Sequence, residues 1–172
     1  MDSMKIMNST ISDIESIFKL YAIATSFQKN KFPANQWPIF SRALVENEIK
    51  ENRQWKLLIN GQIACIWAIT FSDPQIWENS NDDSAIYIHR IATNPNYRGQ
   101  YFVSIIVEWA KNYSADRQIS FIRMDTCGNN RKLIGHYTKC GFDFLGITKL
   151  KNTTALPAHY KDADVCLFEI KL

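Results

Sequence analysis

Apolar Ile14, Ile17, Phe18, Tyr21 and Ala22 recur three and four positions apart, which predicts an amphipathic first helix running to about residue 27. Ser12 and Glu15 have the spacing of a capping box, with Ser12 as the expected N-cap. A strand at 4–7 precedes this helix. A loop containing Pro33, Trp37 and Pro38 follows it and leads to a second helix at 41–51, with Leu44, Val45 and Ile49 on one side. The pattern then changes to strand-like runs at 55–59 and 62–71, separated by Asn60-Gly61. Both of these residues tolerate positive φ, so the pair predicts a two-residue hairpin. Residues 73–83 are polar and read as a loop.

A strand at 84–93, a helix at 101–114, a strand at 119–125, a helix at 130–140 and strands at 142–149 and 164–170 complete the chain. Ile105, Ile106, Trp109 and Ala110 form the buried side of the third helix. The order is β-α-α-β-β-β-α-β-α-β-β, and the strand–helix–strand unit from 84 to 125 should be a right-handed parallel crossover. This is a mixed α/β chain without repeats, low-complexity segments or linkers, read as one domain over residues 1–172. Trp55, Trp67 and Trp109 are expected in the core, and Trp37 and Trp77 on loops that could wall a pocket.

Composition adds few constraints. The 46% hydrophobic and 22% charged fractions are ordinary for a globular protein. The net charge is +3 and the basic residues are scattered, so nucleic acid is not an expected partner. No stretch approaches the ~18 uninterrupted apolar residues of a membrane span, and residues 1–10 lack the apolar core of a signal peptide. Cys65, Cys127, Cys140 and Cys166 are widely spaced with no metal-ligand pattern, so no metal is expected. They read as small apolar residues in a reducing, cytoplasmic setting.

Chemistry concentrates between residues 87 and 146. The strand ending Ile91-Ala92-Thr93 is followed by the turn Asn94-Pro95-Asn96-Tyr97, and Arg98-Gly99-Gln100 leads directly into a helix. The first turn of a helix presents unpaired N–H groups and the positive end of the dipole, which suits a phosphate. Arg98 adds charge, and Gly99 allows close backbone approach. Further on, Asn130, Tyr137, Gly141 and Phe142 stand in the pattern N-x6-Y-x3-G-F. Asn130 and Tyr137, two helical turns apart, should share one helix face. Gly141 suits a left-handed C-cap.

The stretches 88–99 and 130–142, in this order and at this spacing, resemble the two signatures of the GNAT superfamily of N-acetyltransferases. The resemblance implies a splayed mixed sheet of about seven strands flanked by about four helices, with acyl-CoA entering between the fourth and fifth strands. It implies acetyl-CoA as co-substrate and a small-molecule or peptide amine as acceptor. Ile91, Ala92 and Thr93 would offer backbone groups to the pantetheine arm and thioester. Arg98, Gly99, Gln100, Tyr101, Phe102, Val103 and Ser104 would enclose the pyrophosphate. Asn130 would hydrogen-bond the pantetheine, and Tyr137, a phenol of ordinary pKa ~10, would protonate the departing thiolate.

One departure stands out: two positions at which the family usually carries small residues hold Tyr101 and Val103. A non-catalytic acyl-CoA-binding or sensing module is therefore the alternative reading. For the general base, His89 occupies a strand position where some members place a glutamate, and its ordinary pKa of ~6.5 suits the task. A hydrogen-bonded sheet histidine, with water as the base, is the other reading. Asp125, at the end of the fifth strand, is a weaker candidate for the base and is expected to be structural or a helix-cap partner; Arg90 is expected to lie on the opposite strand face from His89, paired with a carboxylate. A cysteine nucleophile is not expected. An exposed final strand would offer an edge for homodimer formation.

Overall fold

The computed structural model describes residues 3–31, 33 and 36–172. The readings that touch Met1, Asp2, Phe32, Ala34 and Asn35 lie outside the described residues. Seven strands, β1 (Met4–Asn8), β2 (Gln54–Ile59), β3 (Gln62–Thr70), β4 (Ala85–Thr93), β5 (Phe121–Cys127), β6 (Asp143–Lys149) and β7 (Asp164–Lys171), form one sheet in the order β1-β2-β3-β4-β5-β7-β6. The helices are α1 (Ile14–Lys31), α2 (Arg42–Lys50), the short α3 (Pro74–Trp77), α4 (Phe102–Ala115) and α5 (Arg131–Lys139). The mixed α/β architecture is the one expected.

Alternation along the strands divides the core between the two faces. Ile66 packs with Ile17, Tyr21, Phe40 and Val45 beneath α1 and α2. Its neighbour Trp67 packs with Ile106, Ala110, Phe142 and Phe168 beneath α4 and α5. Trp55 and Trp109 pack against that second cluster, as expected of core tryptophans. Trp77 does not wall a pocket: it is buried on α3 beside Tyr87, with the Arg123 guanidinium 4.7 Å above its ring.

Several local readings change. The N-terminal capping device lies two residues earlier than Ser12: the Asp13 carboxylate accepts the Thr10 N–H at 2.7 Å, and a 3-10 turn (Ile11–Asp13) leads into α1. Residues 73–83 are not an open loop, because α3 and a 3-10 turn (Glu78–Asp82) occupy them. Buried Arg123 ties that segment down, donating to Asp83 at 2.6 Å and to the Ser80 carbonyl at 2.6 Å while also binding Glu169 at 2.7 Å. The final strand is not an edge. β7 lies between β5 and β6, so the sheet edges are β1 and β6, and a homodimer through β7 is ruled out by its neighbours.

The hairpin forms at Asn60 (φ +50°) and Gly61 (φ +79°). β4 and β5 pair in parallel, as the crossover rule requires, but only from Ala85↔Phe121 to Ile88↔Met124. Beyond that point the two strands have no common ladder although both continue, to Thr93 and Cys127. On its other side β4 stays paired with β3 through a bulge, in which Arg90 and Ile91 oppose Trp67 and Arg90 takes φ +52°. The bulge bends the strand away from β5. The sheet is thereby opened where the sequence places its chemistry.

Candidate active site

A cavity of about 1020 Å³ runs through the opening, bordered by the diverging ends of β4 and β5 and by α1, α2, α5 and the segment between β6 and β7. At one end lie Ile91, Ala92 and Thr93, with Arg98, Asn130 and Tyr137. Gly99, Gln100, Tyr101, Phe102 and Val103 border an adjoining recess with His136. The structure therefore brings the two sequence signatures to one place.

The loop before α4 has the expected form, with differences in detail. Gly99 takes φ +83°, a conformation L residues adopt only at a cost. Tyr101 precedes the helix rather than opening it, and it is itself left-handed at φ +54°. Its side chain is 73% exposed, so it does not fill the cleft, while Val103 packs against the core. Ser104 is engaged locally: its N–H donates to the Tyr101 carbonyl at 3.0 Å and its hydroxyl lies 3.4 Å from Cys140 Sγ. The Arg98 guanidinium lies 5.3 Å from the Phe27 ring centre, on the side of α1.

Asn130 is not inside the helix with Tyr137. It is the N-cap of α5, its side-chain oxygen accepting from Lys132 N at 3.1 Å and Leu133 N at 3.3 Å. Tyr137 is buried, edge-on to Phe142 and Phe168. Burial pushes the phenol well above its usual range, so it is a proton donor at any physiological pH.

At the other end of the cavity His89 stands between two carboxylates. Nε2 lies 2.9 Å from Asp73 Oδ2, and Nδ1 lies 3.7 Å from Asp125 Oδ1. Burial disfavours the imidazolium, but the close Asp73 carboxylate and the charges of Asp125 and Asp73 outweigh it, and the pKa of His89 is raised. Asp125 is pushed up to about 6 by burial, against the opposing pull of His89 and of the Tyr160 hydroxyl, which donates to Oδ2 at 2.6 Å. Asp125 Oδ1 is buried without a hydrogen-bond partner. Asp125 is thus no helix cap but part of the site.

The donor atoms of Asp73, His89 and Asp125 lie within 4.8 Å of one another, a spacing a metal ion could use. The 2.9 Å approach of His89 to Asp73 makes an ion-pair relay the simpler account. Arg90 has the expected carboxylate partner in Glu48, and its guanidinium lies over Phe40 at 4.9 Å. The bulge interrupts strand alternation, so Arg90 borders the same cavity as His89 instead of the opposite face.

Sequence reasoning missed Asp73, Glu48 and Tyr160. Asp73 carried one signal, its place just before Pro74 at a helix start. Glu48 and Tyr160 carried none, since long-range packing brings them in. Trp37 does border the cavity.

The Acetyltransferase (GNAT) family model matches residues 17–142, a span that includes the diverging strands, the loop before α4, α4 itself and α5. The chain belongs to this family. The streptothricin acetyltransferase of Escherichia coli is 33% identical over 69 residues, 40% of either chain, and the matched stretch spans about two fifths of the curated relatives. A GNAT-family acetyltransferase from Listeria monocytogenes has the same fold, with a TM-score of 0.78 at 20% identity over 98% of this chain and 95% of that one. So does yncA from Salmonella typhimurium, solved with its cofactor acetyl-CoA, with a TM-score of 0.69 at 10% identity over 98% and 94%.

Proposed function

We propose that this GNAT protein is an acetyl-CoA-dependent N-acetyltransferase that moves the acetyl group directly to a primary amine of a small-molecule or peptide acceptor. The observation that carries this reading is the parting of β4 and β5 beyond Ile88 and Met124, with Tyr137 and His89 bordering one continuous cavity. From His89 to Thr93, β4 has no β5 partner, so its backbone groups on that side are available to the amides of the pantetheine arm and to the thioester oxygen. The loop from Arg98 to Tyr101 and the first turn of α4, from Phe102 to Ser104, receive the pyrophosphate. Asn130 fixes the start of α5 and borders the pantetheine path.

The acceptor amine is to lose one proton and the leaving sulfur to gain one. The coupled Asp73–His89–Asp125 group takes the first, with Asp125 as the accepting member and the charged form of His89 favoured beside it by the two carboxylates. Tyr137 supplies the second. A main-chain N–H of the free β4 edge stabilises charge on the carbonyl oxygen, a contribution of about 3 kcal/mol in comparable sites. No covalent enzyme intermediate and no metal is needed. The four free cysteines suit a reducing cytoplasm.

The sensing-module reading rested on Tyr101 and Val103, and the exposure of Tyr101 weakens it. Thiol release from acetyl-CoA in the presence of a panel of primary amines tests the proposal. Turnover that depends on the amine supports it, and saturable binding with no turnover for any amine supports the sensor.

A further inference from the structure

The half of the cavity beyond His89 carries a distinctive balance of charge and apolar surface. Its carboxylates, among the described residues, are Glu48, Asp73 and Asp125. Glu48 is ion-paired with Arg90 and Asp73 with His89, while Asp125 has no cation among the described residues closer than His89 Nδ1 at 3.7 Å; Glu48 Oε2, Asp73 Oδ2 and Asp125 Oδ1 all lack a hydrogen-bond partner. Arg90 and His89 border the space as cations, and so does Arg53, which is paired with Glu51 outside it. The remaining wall is hydrocarbon: Trp37 and Phe40 from the loop after α1, Leu44 from α2, Ile76 from α3 and Leu156 from the segment before β7. Trp37, Phe40 and Tyr21 pack edge-on or tilted into one aromatic cluster, which gives that wall a fixed shape.

We infer that the acceptor is a monoamine with an apolar alkyl or aryl body, seated by Asp125 at its nitrogen and by the Trp37–Phe40–Leu44 wall along its body. This rests on the acetyl-transfer reading and narrows it. The reacting nitrogen needs one proton acceptor, and Asp125 is the carboxylate of this space that no cation among the described residues approaches within hydrogen-bond distance. A second ammonium on the same molecule would be taken out of water into a space whose other two carboxylates are already paired with Arg90 and His89. An apolar body instead gains by leaving water against aromatic and aliphatic surface.

Hexylamine and 1,6-diaminohexane form a matched pair that differs by the second ammonium alone. With acetyl-CoA as donor and thiol release as readout, kcat/KM for hexylamine is expected to exceed that for the diamine at least tenfold, with 2-phenylethylamine at or above hexylamine. Leu44→Glu places a carboxylate at a 37% exposed wall position that tolerates charge, and it should reduce the ratio to threefold or less. A wild-type protein that uses the diamine as well as hexylamine overturns the inference, and so does an unchanged ratio in Leu44→Glu. Failure to acetylate any of these amines or any polycation, while calorimetry still records acetyl-CoA binding, overturns the acyl-transfer reading beneath it. Turnover restricted to polycations overturns the acceptor class alone.

Discussion

His89 and Asp125 occupy the first positions after β4 and β5 cease to pair, and Nδ1 of one lies 3.7 Å from Oδ1 of the other. The geometry that opens the sheet for a ligand thus also places an imidazole and a carboxylate face to face across the gap. Burial pushes Asp125 up to about 6, and the neighbouring carboxylates raise the pKa of His89 against the effect of burial, so the two groups titrate as a coupled pair.

A pH profile should report this unit. Asp125 must be ionised to accept the amine's proton, so kcat/KM, corrected for the fraction of free amine, should rise as pH increases through about 6. Asp125→Asn should remove that limb and lower kcat/KM by 10- to 1000-fold. An unaltered limb in the variant would take Asp125 out of the proton path.

Asp73 raises the pKa of His89, so Asp73→Asn should move the His89 titration, followed by NMR of its ring proton, to lower pH. The raised folded value also fixes a stability trend. The stabilisation that wild type has over His89→Gln should be fully present below about pH 6.5, the unperturbed value, and should decline as pH rises through the folded pKa. Denaturant unfolding of both proteins across pH 5–9 measures it. A wild-type advantage that grows with pH would contradict this.

Tyr137→Phe keeps the ring that packs on Phe142 and Phe168 and removes the proton donor. Turnover should fall roughly 100-fold or more, in the range of general-acid effects, while acetyl-CoA affinity changes less than about threefold. Equal losses in both would make the residue structural.

Tyr101 holds a left-handed conformation that costs an L residue about 1–2 kcal/mol, and its exposed ring gives little back. Tyr101→Gly relieves that cost, offset by about 0.5–1 kcal/mol of chain entropy. The variant should melt a few degrees higher, about 2–4 °C for each net kcal/mol, and bind acetyl-CoA at least as well. A drop in affinity would mean that the phenol itself contacts the nucleotide.

The fold was readable because its elements are periodic and punctuated locally. The 3–4 spacing from Ile14 to Tyr21, Asn60-Gly61 at the hairpin, and the strand–turn–helix from Ile91 to Phe102 each carry their signal within a few residues. The residues proposed for the acyl-CoA half of the site were readable for the same reason, since Arg98, Gly99, Asn130 and Tyr137 belong to short segments. The acceptor half was not. Asp73, Glu48 and Tyr160 lie on separate elements that meet through packing, and Arg90 borders the cavity through a bulge that no local pattern announces. The position of β7 within the sheet also escaped, because strand order depends on which ladder forms and not on chain order.

The central claim is that acetyl-CoA lies along the unpaired end of β4 with its pyrophosphate at the start of α4. Titration of the ¹⁵N-labelled protein with acetyl-CoA, read by backbone amide shifts, addresses it directly. Saturable shifts should be largest at Ile91, Ala92, Thr93 and from Gly99 to Val103, with few changes on β1 and β2. Saturation without change at those amides, or with changes centred elsewhere on the sheet, would contradict the account.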